Sequence, residues 1–265
     1  MKKRKMMIII MAVCLTVASV FTILMTNSYL IDVETADNVI TIGNVQTSLS
    51  EGSFNTGSAY SLAAGTVVSK SPKVKNTGIN DEYVFLRVTV PKRNVTLLQE
   101  SGAYRGKKID PKPDNPEVFR ILTESNGTKL TNTDNASISN DVDFTIHKSA
   151  ESTAGWKLIS FTSGTSGTNY NTYIFGYNKK LKAAKNGSAA EETVTLFDKV
   201  QLKSFIDEEL SGNDNTSLND KNLVINIKAI AIQADDLGID GLGEYLTDEQ
   251  INTIYGIVNN KGDVS

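Results

Sequence analysis

The feature of this sequence that most constrains its fold is a period of two in its apolar residues. In residues 82–90, Val84, Leu86, Val88 and Val90 fall on one side of an extended chain. Pro91 ends the run because it has no backbone N–H to donate to a neighbouring strand. This pattern predicts a strand with one face in a core. Similar alternation, in two strong and four weaker runs, occurs at 199–204, 223–232, 118–122, 142–146, 156–161 and 170–177.

Turn-forming residues separate these runs. Stretches rich in Gly, Ser, Asn, Asp and Pro lie at 50–58, 110–116, 132–140, 163–169 and 211–219. Parallel strands need long crossover connections, usually helices, and almost none are evident here. We therefore expect an all-β fold, an antiparallel jelly-roll-like β-sandwich with a few peripheral helices. In residues 39–49 the alternation changes phase across Gly43-Asn44, which indicates a bulge or tight bend.

The clearest helix is predicted at the C-terminal end of the chain. Thr247 and Gln250 have the spacing of a capping box, in which each side chain accepts a hydrogen bond from the other residue's backbone N–H. An apolar stripe at helical spacing follows, made of Ile251, Ile254, Tyr255 and Val258. We expect this stripe to dock on the sandwich. Residues 179–190 fit either a short helix or a loop.

The first 28 residues have the organisation of an export signal. Basic residues at positions 2–5 precede an apolar run at 8–25, and the small residues Thr26 and Ser28 suit the last positions before a signal peptidase cut. We predict cleavage between Ser28 and Tyr29, so that residues 1–28 are a signal peptide and only the precursor contacts the membrane. Because the apolar run approaches the ~18 residues of a membrane span, an uncleaved N-terminal anchor is the alternative.

The charge of the mature chain limits its partners, and its cysteine content limits how its fold is stabilised. Cleavage removes four basic and no acidic residues, which lowers Lys+Arg from 27 to 23 against 30 Asp+Glu and leaves a net charge of −7. That charge argues against nucleic acid as a partner. The single cysteine, Cys14, lies in the apolar run. The mature chain therefore has no disulfide and must depend on its core for stability.

Few residues suggest catalysis. His147 is the only histidine, so a histidine-pair zinc site lacks support. A Ser-His-Asp triad also lacks support, because the sequence has no G-x-S-x-G motif for this histidine to serve. Residues 163–168 lack the Lys-Ser/Thr ending of a phosphate loop, and we interpret them as a hairpin loop. Residues 235–241 lack the bidentate Glu of an EF-hand, so a solvated turn is expected. We predict no catalytic, cofactor-binding or metal-binding residues. A secreted hydrolase would need paired carboxylates, which sequence alone cannot bring together.

Several segments share an order and spacing that is fairly specific. They are Ser28-Tyr29-Leu30-Ile31-Asp32, Asn38-Val39-Ile40-Thr41-Ile42-Gly43-Asn44-Val45, Ala64-Gly65-Thr66-Val67-Val68-Ser69-Lys70-Ser71-Pro72-Lys73-Val74-Lys75-Asn76-Thr77-Gly78, Tyr83-Val84 with Arg87-Val88, Leu196-Phe197-Asp198-Lys199-Val200 and Ala229-Ile230-Ala231-Ile232-Gln233-Ala234-Asp235. Together they resemble the TasA/camelysin family of Gram-positive exported proteins. The family usually has Pro-Gly where this chain has Ala64-Gly65.

This resemblance implies a fold, a processing route and a function. The implied fold is a jelly-roll sandwich, and the implied processing enzyme is a dedicated SipW-type signal peptidase. The implied function is assembly into extracellular biofilm-matrix fibres. The protein would then be secreted to the extracellular matrix or the cell surface, with other matrix proteins as possible further partners. A metallopeptidase activity sometimes ascribed to the family has no supporting residues here.

The predicted mature N-terminus is apolar and β-prone. Residues 29–37 form a tail ahead of the main domain at 38–265, and the candidate donor-strand residues are Tyr29, Leu30, Ile31 and Val33. Such a strand could add to an exposed sheet edge of the next copy, and a head-to-tail contact that does not close produces a filament. The partner would then be the protein itself, as a homopolymer. The alternative is a tail that folds back on its own domain.

A second class of function is a secreted adhesin or carbohydrate-binding module that stays monomeric. Jelly rolls often bind sugars, and Tyr173, Phe175 and Tyr177 share one side of a predicted strand. Trp156 could add to such a stacking surface. The same spacing suits a core face equally well, so the exposure of these rings in the folded protein distinguishes the two interpretations.

Overall fold

The computed structural model describes residues 30–31, 38–42, 46–51, 60–61, 65–100, 104–111, 113–164, 170–185, 188–206, 224–235 and 237–261. These residues form sixteen strands and one helix. The predicted signal peptide, residues 1–28, lies outside them. Within the described residues, no helix has the length and hydropathy needed to cross a membrane.

Most of the strands are short, and the longest, β7, has ten residues. In chain order the strands are β1 (Leu30–Ile31), β2 (Asn38–Ile42), β3 (Thr47–Ser50), β4 (Tyr60–Ser61), β5 (Val67–Ser69), β6 (Lys73–Asn76), β7 (Glu82–Pro91), β8 (Thr96–Leu97), β9 (Phe119–Leu122), β10 (Thr128–Lys129), β11 (Thr145–Ile146), β12 (Trp156–Thr162), β13 (Tyr170–Tyr177), β14 (Lys199–Leu202), β15 (Phe205–Ile206) and β16 (Asn226–Gln233). The helix, α1, is Asp248–Lys261.

The largest sheet has five strands in the order β12-β13-β7-β16-β2. Its central strand, β7, pairs antiparallel with β13 on one side and with β16 on the other. Leu86 of β7 lies opposite Phe175 of β13 and Ala229 of β16, and all three residues are fully buried. The alternation that predicted β7 therefore also defines the inner face of this sheet.

A second layer packs on this inner face. β5, β14 and β9 form a three-stranded antiparallel sheet. Val200 of β14 and Ile121 of β9 belong to the same core cluster as Val88 of β7. Phe144 adds to this core, with its ring centroid 5.4 Å from that of Phe175. Burial of this shared apolar surface is the dominant favourable term in folding such a chain.

A bulge in β12 explains why the alternation of that strand is imperfect. The pairing with β13 shifts register between Leu158 and Ser160, which makes Ile159 an extra residue. Leu158 and Phe161 both belong to the inner core cluster. In a regular strand, residues separated by an odd number of positions point to opposite faces. The bulge therefore places two large apolar side chains on the same side.

The helix covers part of the outer face of the five-stranded sheet. The Thr247 N–H donates to Oε1 of Gln250 at 3.0 Å, and the Gln250 N–H donates to Oγ1 of Thr247 at 3.2 Å. These two bonds are the predicted capping box. The predicted apolar stripe of α1 packs in one cluster with Phe85 of β7 and Ile230 of β16. Docking of the C-terminal helix on the sheet is thus confirmed.

Gly176 of β13 lies where the helix meets the sheet. A Cβ added to it would be 2.5 Å from Cγ2 of Ile251 and 3.1 Å from Cε1 of Phe85. A larger side chain would overpack this contact. We therefore expect Gly176→Val to lower the free energy of unfolding by about 1–3 kcal/mol. The matched control is Gly256→Ala in α1, whose added Cβ meets no atom within 4 Å. It should stabilise the helix by up to ~1 kcal/mol. Urea unfolding measures both changes, and equal stability of the two variants would contradict this account.

The general form of the predicted fold is confirmed. The regular secondary structure of the described residues is mostly strand, arranged in several antiparallel sheets, with one helix at the C-terminal end. Each of the seven alternating runs contains an observed strand, namely β7, β9, β11, β12, β13, β14 and β16. Residues 179–185 and 188–190 contain no helix, so this described part of 179–190 is a loop. β2 and β3 flank the change of phase, while residues 43–45 lie outside the described residues.

Candidate assembly site

The predicted donor strand lies only partly within the described residues. Leu30–Ile31 forms β1, which pairs antiparallel with β4 of the same chain. In this pairing Leu30 lies opposite Ser61 and Ile31 lies opposite Tyr60. Outside the described residues lie Ser28, Tyr29 and Val33. This pairing within one chain is the arrangement expected of a tail that folds back.

The strand that follows the tail completes one edge of the five-stranded sheet. β2 pairs with β16, with Asn38 opposite Lys228 and Ile42 opposite Ile232. This pairing is parallel, whereas the other strand pairs among the described residues are antiparallel. The two strands come from opposite ends of the chain. β2 is therefore not held in place by a hairpin with its neighbour.

An edge strand of this kind can be exchanged between copies of a chain. Among the described residues, β2 has one neighbour in the sheet, β16. Strand pairing uses main-chain hydrogen bonds, which the same segment of another copy supplies equally well. A segment that pairs within one chain can pair between identical chains once its connection allows it. The position of β2 at a sheet edge is thus compatible with exchange between copies.

A buried carboxyl lies beside β3, the strand that follows β2 in the chain. Glu82, the first residue of β7, is fully buried. Neither of its carboxyl oxygens has a hydrogen-bond partner among the described residues. Burial raises the pKa of the Glu82 carboxyl to about 7, and the nearby Thr47 side chain of β3 only partly offsets this effect. Ionisation of Glu82 therefore places a poorly compensated charge next to the N-terminal strands.

We expect the folded protein to lose stability as the pH rises from 5 to 8. The carboxyl of Glu82 ionises near pH 4.5 in the unfolded chain and at about 7 in the folded one. Between these values the folded state binds more protons, so the free energy of unfolding falls with rising pH, by up to about 3 kcal/mol. Glu82→Gln has nearly the same shape but cannot ionise, and it should remove this part of the slope. Urea unfolding of both proteins at several pH values tests this, and identical slopes would count against it.

The single histidine has a structural partner. Nε2 of His147 lies 2.8 Å from Oδ2 of Asp198, and the same oxygen accepts the Glu124 N–H at 2.8 Å. The contact links the end of β11 to the residue that precedes β14. Within the part of the chain that the structure describes, no group of three or more His, Cys, Asp or Glu residues could hold a metal ion.

A buried polar cluster was not predicted from the sequence. Oε1 of Glu117 accepts hydrogen bonds from Nδ2 of Asn171 at 2.6 Å and from the Tyr173 hydroxyl at 2.5 Å. Burial raises the pKa of Glu117 and that of Tyr173. Glu117 also lines a polar cavity of about 600 Å³ together with Asp141. The residue that could have indicated this cluster in the sequence is Asn171, a polar residue that shares the inner face of β13 with Tyr173 and Phe175.

The aromatic residues considered as a sugar platform are core residues. Trp156, Tyr173 and Phe175 are fully buried, and Tyr177 is 4 % exposed. The indole N–H of Trp156 donates to the Val194 carbonyl at 2.9 Å, which satisfies its one polar group. The core interpretation of these residues is confirmed, and these four rings do not form an exposed stacking surface.

The two loops that invited a ligand-binding interpretation have structural explanations. β12 and β13 are antiparallel neighbours, so the segment between them connects a hairpin, as predicted. Its residues 165–169 lie outside the described residues. In the acidic segment, Gly238 and Gly241 have φ values of 68° and 71°, which glycine adopts readily in turns. Leu237 and Ile239 pack against the helix cluster. The described part of this segment, residues 235 and 237–241, is therefore a turn, with part of it packed on the cluster that α1 shares with the five-stranded sheet.

Comparison with known proteins identifies no relative. No protein-family model matches the chain, and neither a curated protein nor a solved structure is significantly similar to it. Its function must therefore be inferred from the residues and geometry described above.

Proposed function

We propose that this protein is an exported structural subunit that assembles head to tail into extracellular biofilm-matrix fibres, by donating its N-terminal strand to the next copy. The observation that carries this proposal is β2, an N-terminal edge strand that pairs in parallel with β16 from the other end of the chain. The export-signal pattern of residues 1–28, the apolar tail and the resemblance to TasA/camelysin proteins support it.

Signal-peptide removal acts as the trigger in this proposal. A SipW-type signal peptidase cuts between Ser28 and Tyr29, and the precursor cannot donate its tail while that tail is tethered to the membrane. In the single chain, β1 pairs with β4 and β2 pairs with β16. After cleavage, the same pairings form between successive subunits, so assembly exchanges main-chain hydrogen bonds without changing their number.

The rest of the proposal concerns architecture and partners. The five-stranded and three-stranded sheets share one core, which suits a jelly-roll-like β-sandwich. The protein acts without a cofactor and is not an enzyme. Its main partner is another copy of itself, with other matrix proteins as further partners, and it resides in the extracellular matrix or at the cell surface.

Fibre formation by the purified mature chain tests this proposal. Protein that begins at Tyr29 should form filaments visible by electron microscopy. A chain that begins at Gly43 lacks the tail and β2 and should form none. A synthetic peptide of residues 29–42 should bind the shortened chain and raise its melting temperature, which separates lost assembly from lost folding. A Tyr29 chain that stays monomeric under all conditions would overturn the proposal and favour the monomeric adhesin.

A further inference from the structure

The outer face of the five-stranded sheet carries a row of polar side chains. Thr162 of β12 lies opposite Thr172 of β13. Thr89 of β7 lies opposite Thr172 on one side and opposite Asn226 of β16 on the other. Residues directly opposite each other share one face of a sheet. These three threonines and one asparagine therefore form a line across four strands, which spans about 14 Å at ~4.8 Å per strand. They are here called the hydroxyl row, after the threonine hydroxyls.

The helix and β2 both leave the hydroxyl row uncovered. α1 packs over Phe85 and Ile230, at the other end of the same strands. The pairing of β2 with β16 starts at Lys228, so it does not extend to Asn226. Thr162 is exposed, and the other three members of the row are half-buried. Among the described residues, neither α1 nor the paired part of β2 therefore covers the row.

A cavity of about 600 Å³ lies over the row. This volume falls in the range of ~300–1,000 Å³ typical of small-molecule sites. Apart from the hydroxyl row, its lining residues are Ser163, Gly164, Tyr170 and Val224. Tyr170 is 37 % exposed, whereas most aromatic residues in the described part of the chain are buried or half-buried. None of the lining residues carries a charge.

The chemistry of this lining selects a class of ligand. Each threonine offers a hydroxyl that both donates and accepts hydrogen bonds, beside an apolar methyl group. Tyr170 offers an apolar ring face with a polar tip. An ion finds no partner of opposite charge in this lining, and a purely apolar ligand would leave the hydroxyls without partners. A pyranose sugar matches both features, because it has hydroxyls around its edge and C–H groups on its faces.

We propose that the hydroxyl row and Tyr170 bind a neutral polysaccharide chain. The linear arrangement of the row across the strands suits successive sugar units of a polymer. This activity is separate from strand donation, because it uses the sheet face and not the sheet edge. In a fibre, the same face would recur along the filament and give many weak contacts to one polysaccharide, which together bind far more tightly than one.

Calorimetric titration of freshly purified monomer tests this proposal independently of assembly. The probes are cellohexaose, laminarihexaose, xylohexaose and maltohexaose, with hexagalacturonate as an anionic comparison. At least one neutral hexasaccharide should bind. Tyr170→Ala and Thr172→Val should each weaken that binding about tenfold, from loss of the ring contact and of one hydroxyl respectively.

Matched controls lie elsewhere on the surface. Tyr104 is 57 % exposed and Thr128 is exposed on β10, so Tyr104→Ala and Thr128→Val remove the same groups outside the cavity. These variants should bind like the unmodified protein, and thermal melts should show that all four variants are folded. Absence of binding to every neutral probe would overturn the proposal. So would binding that only hexagalacturonate shows, or equal losses in the site and control variants.

Discussion

Replacing Leu30 and Ile31 with aspartate is expected to abolish fibre formation while the monomer stays folded. In the proposed fibre these two side chains belong to the donated strand, and burial of each contributes roughly 1.5–3 kcal/mol to the contact. Aspartate removes this contribution and would bury an unpaired charge in the contact between subunits. Electron microscopy and sedimentation of the chain beginning at Tyr29, with and without the two substitutions, measure the effect.

Leu86 provides the control for this experiment. It is fully buried at the centre of the five-stranded sheet, between β13 and β16. Leu86→Asp should therefore unfold the domain, whereas the Leu30/Ile31 variant should keep a cooperative thermal transition. Fibres of normal length from the Leu30/Ile31 variant would rule out strand donation through these residues.

A loss of about 3–5 kcal/mol in unfolding free energy is expected from Lys70→Met. Nζ of Lys70 lies 2.8 Å from Oε1 of Glu51, and the two side chains are 0 % and 3 % exposed. Lys70 follows β5 and Glu51 follows β3, so this ion pair connects two strands of different sheets. Removing the lysine leaves a buried carboxylate without its cation, which costs far more than the pair itself contributes.

A nearby surface pair gives the matched comparison. Nζ of Lys73 lies 3.5 Å from Oε1 of Glu192, and these side chains are 40 % and 53 % exposed. Lys73→Met should change stability by less than ~1 kcal/mol, because water screens exposed pairs. Replacing both members of the buried pair, with Lys70→Met and Glu51→Leu, should recover much of the loss. Urea unfolding at neutral pH compares these variants, and similar losses for Lys70→Met and Lys73→Met would refute the role given to the buried pair.

Local signals in the sequence predicted most of the long elements. The run that ends at Pro91 is β7, and residues 170–177 form β13 with the bounds predicted. The spacing of Thr247 and Gln250 predicted the two capping bonds at the start of α1. These features depend on neighbours in the chain, such as alternate faces of a strand or the exposed N–H groups of a helix start. Reading them therefore requires no knowledge of the fold.

Buried polar groups could not be predicted in the same way. Glu51, Lys70, Glu82 and Glu117 are charged residues of types that are usually exposed, yet each is buried here. Glu117 meets Asn171 and Tyr173, which are more than fifty positions away. Composition and periodicity contain no information about such distant partners, so the polar cluster emerged only from the structure.

The sequence by itself determined the longer strands, which of their residues share a face and where the last helix begins. The tertiary structure alone decided which strands are neighbours. β2 reads as an ordinary strand, yet it pairs in parallel with β16, and β12 contains a bulge that brings Leu158 and Phe161 to one face. The physical reason is that strand pairing uses main-chain hydrogen bonds, which are the same for nearly every residue. A side-chain pattern therefore specifies a face but not a partner, and the partner is selected by packing of the whole core.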